Sequence, residues 1–220
     1  MSEKPILMTA ENYLKCADGT KTQTRRIIGL DADWASFPNM ESRLSNEGIL
    51  QFRCPPENVI WRDMFWGNNR GPKSRHCKPI KPRYKVGDLL YVKESLSKTI
   101  DGMIVYGNTE ELYLEFSPLA ASDLPVRWKW KRDYLSSMFM PKKFARLWLE
   151  VAAVRVERLH EISEEDVTGE GIAPFPNHPK IPYMQFATLW DSINGKKHPW
   201  ESNPWVWVYT FNRIERQDND

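Results

Sequence analysis

The sequence predicts a small α+β domain or an open barrel. Strand candidates outnumber helix candidates, and the two do not alternate as they would in a doubly wound sheet. The helices that can be read are short, and one long stretch lacks clear periodicity.

In chain order, Pro5 to Met8 reads as a short apolar strand. Thr9 follows as an N-cap, whose hydroxyl accepts from a free amide of the first helical turn. The helix after it has Tyr13, Leu14 and Ala17 inward and stops at Gly19. Thr22 to Ile28, rich in β-branched residues and arginine, is a strand candidate. Residues 31–82 carry Pro38, Pro55, Pro56, Pro72 and Pro79. They read as an insertion into a single domain spanning 1–220, with one hairpin whose strands lie near Ile49–Arg53 and Val59–Phe65. Val86-Gly87-Asp88 is a turn, Leu89 to Glu94 a strand, and Met103 to Tyr106 another. Leu147 to Val156 alternates with a phase slip at Ala152-Ala153, the mark of a bulge. Ser163 caps a short helix with acids in its first turn, where the helix dipole favours them, and Gly171 ends it. Pro182 opens the next helix at N1, with Tyr183, Phe186, Leu189, Trp190 and Ile193 as its core stripe. Asn194-Gly195 stops it. Trp205 to Phe211 is the closing strand, apolar on both faces.

Composition narrows the classes. The chain has 220 residues, 41% hydrophobic and 27% charged. That mix is globular and excludes collagen, coiled coil and disorder. No apolar run reaches the ~18 residues of a membrane span, so no membrane partner is expected. Met1 to Ala10 holds no apolar stretch of signal-peptide length, and three cysteines are too few for a disulfide scaffold. A cytoplasmic setting follows as the simplest expectation.

The net charge is only +2. Yet Arg62 to Lys85 carries +7 and Arg127 to Arg146 carries +6, leaving −11 for the remainder. Such segregation suits a polyanion. The second segment interleaves Trp128, Trp130, Tyr134, Phe139 and Phe144 with its cations, as base-stacking surfaces do. Single-stranded RNA or DNA is therefore a candidate partner; the alternative is a solvated loop whose lysines cover apolar surface.

Cys54, His76 and Cys77 are the metal candidates, but they form no C-x-x-C pair and His76 and Cys77 are adjacent. No nucleotide-binding or zinc-hydrolase motif occurs, so no metal and no cofactor is expected. His160, His178 and His198 sit in turn-like contexts and read as surface residues.

The most distinctive stretch is Gly19-Thr20-Lys21-Thr22-Gln23-Thr24-Arg25-Arg26. It places three hydroxyls among three cations, between a helix stop and a strand. A threonine becomes a nucleophile when a base takes its proton, and a desolvated neutral lysine is such a base. Lys21 and Thr24 point to opposite faces of a regular strand and converge only across a turn or bulge. The alternative is a polar hairpin edge.

That run, the later Gly87-Asp88-Leu89-Leu90-Tyr91-Val92-Lys93-Glu94 and the helix from Ser163 to Ile172 resemble the ASCH domain, in the family's order. ASCH domains belong to the PUA-like group of small mixed β-barrels, many of which bind RNA. The resemblance covers about 1–29, 84–107 and 140–214; the longer form seen here is similar to proteins common in phages and prophages. The resemblance to the small bacterial N(4)-acetylcytidine amidohydrolases implies a catalytic set of Lys21, Thr24 and Glu170. Lys21 is the implied base, Thr24 the nucleophile or water-positioner, and Glu170 the acid for the leaving amine. A lysine acts as a base only when neutral, which burial favours, and an apolar pocket keeps a glutamate protonated. Arg26 is expected to bind a phosphate or base carbonyl, with Lys93 and Glu94 lining the same mouth. The substrate implied is a modified nucleoside acylated on an exocyclic amine. Residues 31–82 and the basic aromatic segment have no counterpart in those small enzymes. Two rival readings remain: a non-catalytic PUA-like binder of RNA or modified nucleic acid, and a ribonuclease.

Overall fold

A computed structural model describes residues 2–28, 41–46, 48, 50–53, 62–63, 65–66, 78–99, 104–107, 128–175, 177–178 and 180–215. The candidate ligands Cys54, His76 and Cys77 lie outside them. The chain divides into two compact units: Met1–Lys21 with Gly87–Glu150 and Asn212–Asp220, and Thr22–Val86 with Val151–Phe211.

In the first unit, β1 (Glu3–Leu7) runs parallel to β8 (Leu89–Lys93) in the register Glu3↔Leu89. Between them in sequence comes α1 (Ala10–Ala17), capped as expected by Thr9, whose hydroxyl accepts from the Asn12 amide at 3.2 Å. Gly19 adopts φ +85°, a conformation glycine takes without the clash of a Cβ. α1 buries Tyr13 and Cys16, while Leu14 is 42% exposed. Leu14 lies about 100° round the helix from Tyr13, and a two-turn helix buries only a narrow stripe. The Gly87 turn precedes β8 as expected, with φ +82°. Its neighbour Asp88 accepts from Ser2 Oγ and Lys4 Nζ, both at 2.5 Å, which ties the start of β1 to the turn. The first residues of β12 (Trp148–Arg158) lie antiparallel to β8. A second sheet has β9 (Leu96–Lys98) between β10 (Ile104–Tyr106) and β11 (Tyr134–Leu135). Leu96, Ile104, Tyr106, Leu135, Met140 and Phe144 form its core, with Trp128 and Trp130 packed against it.

In the second unit, β2 (Gln23–Ile27) lies antiparallel to β13 (Trp205–Ile214), with Thr24↔Tyr209 and Arg25↔Val208 in register. From Trp205 to Tyr209 every residue of β13 is buried, so both faces are covered. Val206 and Val208 join Leu159, Ile162, Val167, Ile172, Phe186 and Trp190 in one cluster. A buried side chain of this size contributes about 1.5–3 kcal/mol. α2 (Glu164–Gly169) begins at Ser163, whose hydroxyl accepts from the Asp166 amide at 3.1 Å. α3 (Lys180–Asn194) starts two residues before Pro182. The proline still falls in the first turn, where no backbone donor is needed. Its buried stripe is Pro182, Phe186 and Trp190; Ile193 is 56% exposed. Ile193 shares the stripe's direction, so the covering surface ends one turn earlier. Ala152 and Ala153 are exposed side by side in β12, the predicted slip in phase.

The insertion is more elaborate than one hairpin. β4 (Leu50–Arg53) is a central strand, paired with β3 (Glu41–Leu44) and with β5 (Arg62–Asp63). β6 (Phe65–Trp66) pairs with β7 (Lys78–Pro79) instead. The mixed strands and short helices give an α+β architecture. Among the described residues no strand pairing closes a barrel, and no helix is long and apolar enough to cross a membrane.

Candidate active site

The distinctive run divides its hydroxyls by task. Thr20 closes the turn after α1: its amide and hydroxyl both donate to Asp18 Oδ1, at 2.8 and 2.7 Å. Those two bonds lower the Asp18 pKa. Thr22 works through its backbone, its amide donating to Gly169 O at 2.8 Å and its carbonyl accepting from Phe211 N at 2.9 Å. Thr24 is 5% exposed. Lys21, the last residue of the first unit's N-terminal segment, is 4% exposed, with its amide donating to Lys15 O at 2.7 Å.

Strand alternation sends Thr24 and Arg26 to one face of β2 and Gln23, Arg25 and Ile27 to the other. On the Thr24 face its register partner Tyr209 meets Tyr84 edge-on, centroids 5.0 Å apart. Burial pushes the Tyr209 hydroxyl up to about 12, against the bonds it accepts from the Arg83 and Tyr84 amides. Arg26 is exposed.

The Arg25 face holds an ionic cluster that the motif alone does not reveal. Arg25 has a side chain only 1% exposed. Its Nε and Nη2 donate to Glu157 Oε1 at 2.9 and 2.7 Å. Its Nη2 also reaches Asp166 Oδ2 at 3.0 Å, and its Nη1 reaches Glu170 Oε1 at 3.1 Å. Arg155 closes the rim, with Nε on Glu157 at 3.0 Å and Nη2 on Asp166 at 2.7 Å. Burial works against the Asp166 carboxylate, but Gln23, Arg155 and Arg25 outweigh it and hold its pKa low. The structure thus joins Glu170 to Arg25, while Thr24 lies on the other face of the same strand. Two signals for this cluster were present: Asp166 and Glu170 stand four apart on α2 and its cap, and Arg155 and Glu157 stand two apart on β12.

In the first unit, Glu94 is 2% exposed and accepts two bonds from Arg146, at 2.9 and 2.8 Å. The Arg146 guanidinium lies 3.8 Å from the Tyr106 ring centroid and 4.3 Å from that of Tyr13. Burial raises the Glu94 pKa, and Arg146 offsets only part of it. Burial also pushes Tyr106 up to about 12, while its hydroxyl donates to Phe144 O at 2.6 Å. Lys93 donates to the Met138 carbonyl, and burial lowers its pKa. Arg146, which the sequence reading left among the cations, is therefore the partner that fixes Glu94.

Among the described residues no group of three or more His, Cys, Asp or Glu is arranged to hold a metal ion. The acids around Arg25 are turned to guanidinium groups instead. His160 and His178 are exposed; His160 lies against Trp200, centroids 4.5 Å apart.

No protein-family model matches the sequence, and no curated protein matches it. Among solved structures the chain is similar to an ASCH domain from Lactobacillus crispatus, at 11% identity and a TM-score of 0.38. That alignment covers 96% of this chain and 79% of the other. A likeness this weak bears on neither fold nor activity.

Proposed function

We propose that this chain is an ASCH-type amidohydrolase of the PUA-like group that removes an acyl group from the exocyclic amine of an acetylcytidine-like nucleoside or base. The observation that carries the reading is burial. Lys21, Thr24 and Glu170 are 4%, 5% and 5% exposed. Lysine and glutamate are rarely this buried, and Glu170 is held there by Arg25. These three are also the residues that the resemblance implies.

In the proposed reaction Thr24 Oγ, or a water it positions, adds to the acyl carbon. Lys21 is the proposed base that takes the proton of that nucleophile. The C–N bond then breaks, and the departing amine takes the proton that Lys21 received from the nucleophile. Water hydrolyses any acyl-threonine, so the net products are carboxylate and free cytidine. Glu170 is proposed to act through Arg25: its Oε1 accepts from Arg25 Nη1 at 3.1 Å and so fixes the strand that carries Thr24. Exposed Arg26 is the proposed contact for a phosphate or base carbonyl. Glu94 and Lys93 have their partners within the first unit, Arg146 and the Met138 carbonyl, and are given no part in this reaction.

The test is conversion of N(4)-acetylcytidine by the purified protein and by Lys21→Ala, Thr24→Ala and Glu170→Ala. Loss of about 100-fold or more is expected in the lysine and glutamate variants. Cleaved RNA without released acetate would assign a ribonuclease instead.

A further inference from the structure

We propose that a surface of the first unit, built on Tyr134, Met138 and Phe139 among Lys129, Lys131, Arg132 and Lys143, binds single-stranded nucleic acid. The reading goes beyond the amidohydrolase proposal and does not depend on turnover.

The local fold forces these side chains outward. Leu135, Met140 and Phe144 are the buried anchors of the segment, at 5%, 1% and 2% exposure. Two short turns, Ser137–Phe139 and Lys142–Phe144, lie between and after them. They are closed by Phe139 N to Ser136 O at 2.9 Å and Phe144 N to Pro141 O at 3.1 Å. Lys93 reaches the Met138 carbonyl from β8. With the anchors inward, Tyr134, Met138 and Phe139 remain 49%, 61% and 67% exposed. Adjacent exposed Met and Phe on a tied-down backbone keep apolar surface in water without adding to the core. A ligand that covers them removes that surface from water, and the fixed turns reduce the ordering cost of binding.

Charge selects the ligand. Lys142 is paired with Glu3 and Arg146 with Glu94. Lys129, Lys131, Arg132 and Lys143 are all exposed, with Asp133 the single acid in this described segment. A polymer offering phosphates to the cations and open base faces to the rings matches both features. In a duplex those base faces are stacked away. The remaining aromatics of the segment, Trp128 and Trp130, pack against the core with centroids 4.8 Å apart and are not offered.

The experiment measures anisotropy of a labelled oligouridylate with the full chain, across a salt series. An equal-length duplex and vesicles of phosphatidylcholine with phosphatidylserine are run beside it. Expected is binding to the single strand above the duplex. Phe139→Ala should weaken it roughly tenfold, since stacking is worth about 1–3 kcal/mol per base. The salt slope should stay unchanged in that variant. Lys131→Gln with Lys143→Gln should instead flatten the slope by about 1.4, at ~0.7 per phosphate contact on a single strand. Equal affinity of Phe139→Ala, equal binding of the duplex, binding of vesicles alone, or no binding of any probe would each overturn the proposal.

Discussion

Arg146 carries an unusual burden for one side chain: a tyrosine ring lies near it on two sides, and a buried carboxylate grips one edge. Burial raises the Glu94 pKa more than Arg146 lowers it, so desolvation dominates this pair. Such pairs cost much to break and little to replace. Arg146→Ala should therefore destabilise the protein by about 3 kcal/mol in urea unfolding, leaving Glu94 buried alone. The double variant Glu94→Leu with Arg146→Met should recover most of that loss. Failure of the double variant to recover would mean that the pair itself is strongly stabilising. Asp166 has the opposite sign. Its pKa is lowered, so its contribution is present above the unfolded value near ~4 and lost as pH falls through the folded value. The stability gap between intact protein and Asp166→Asn should therefore shrink as pH falls below about 4. A gap independent of pH would contradict the cluster as described.

At the scale of elements, the caps were the most legible features. Thr9 and Ser163 both accept the amide expected of an N-cap, because capping is decided within three residues of chain. Ser163→Ala should cost about 1 kcal/mol in thermal or urea unfolding. It should also lower activity, because α2 carries Asp166 and leads into Glu170. The slip in the burial phase of β12 at Ala152 and Ala153 was legible from the break in alternation. Leu14 and Ile193 were not, since periodicity gives the direction of a side chain but not how far the opposing surface extends. The insertion was half legible. Strands near Ile49–Arg53 and Val59–Phe65 were expected, and Leu50–Arg53 and Arg62–Asp63 are found there; β3 was not expected, because a polar four-residue strand has no apolar signature. The Arg25 cluster escaped for a similar reason. Arg25, Glu157 and Asp166 lie more than a hundred residues apart in part, and only the fold brings them together.

For the molecule as a whole, two units each bury an ionic centre, one around Arg25 and one around Arg146. The basic aromatic segment partitions between core and surface: Phe144 goes inward, Phe139 outward. Composition led to the expectation of a polyanion-facing side, and only the fold separates the buried rings from the exposed ones. In the proposed function, buried Lys21, Thr24 and Glu170 serve chemistry on an acylated cytosine. The most direct test follows release of acetate from N(4)-acetylcytidine, by intact protein and by Lys21→Ala of matched circular dichroism. Turnover is expected from the first, and a loss of about 100-fold or more in the second. Equal turnover by the two, or none by the intact protein, would contradict it.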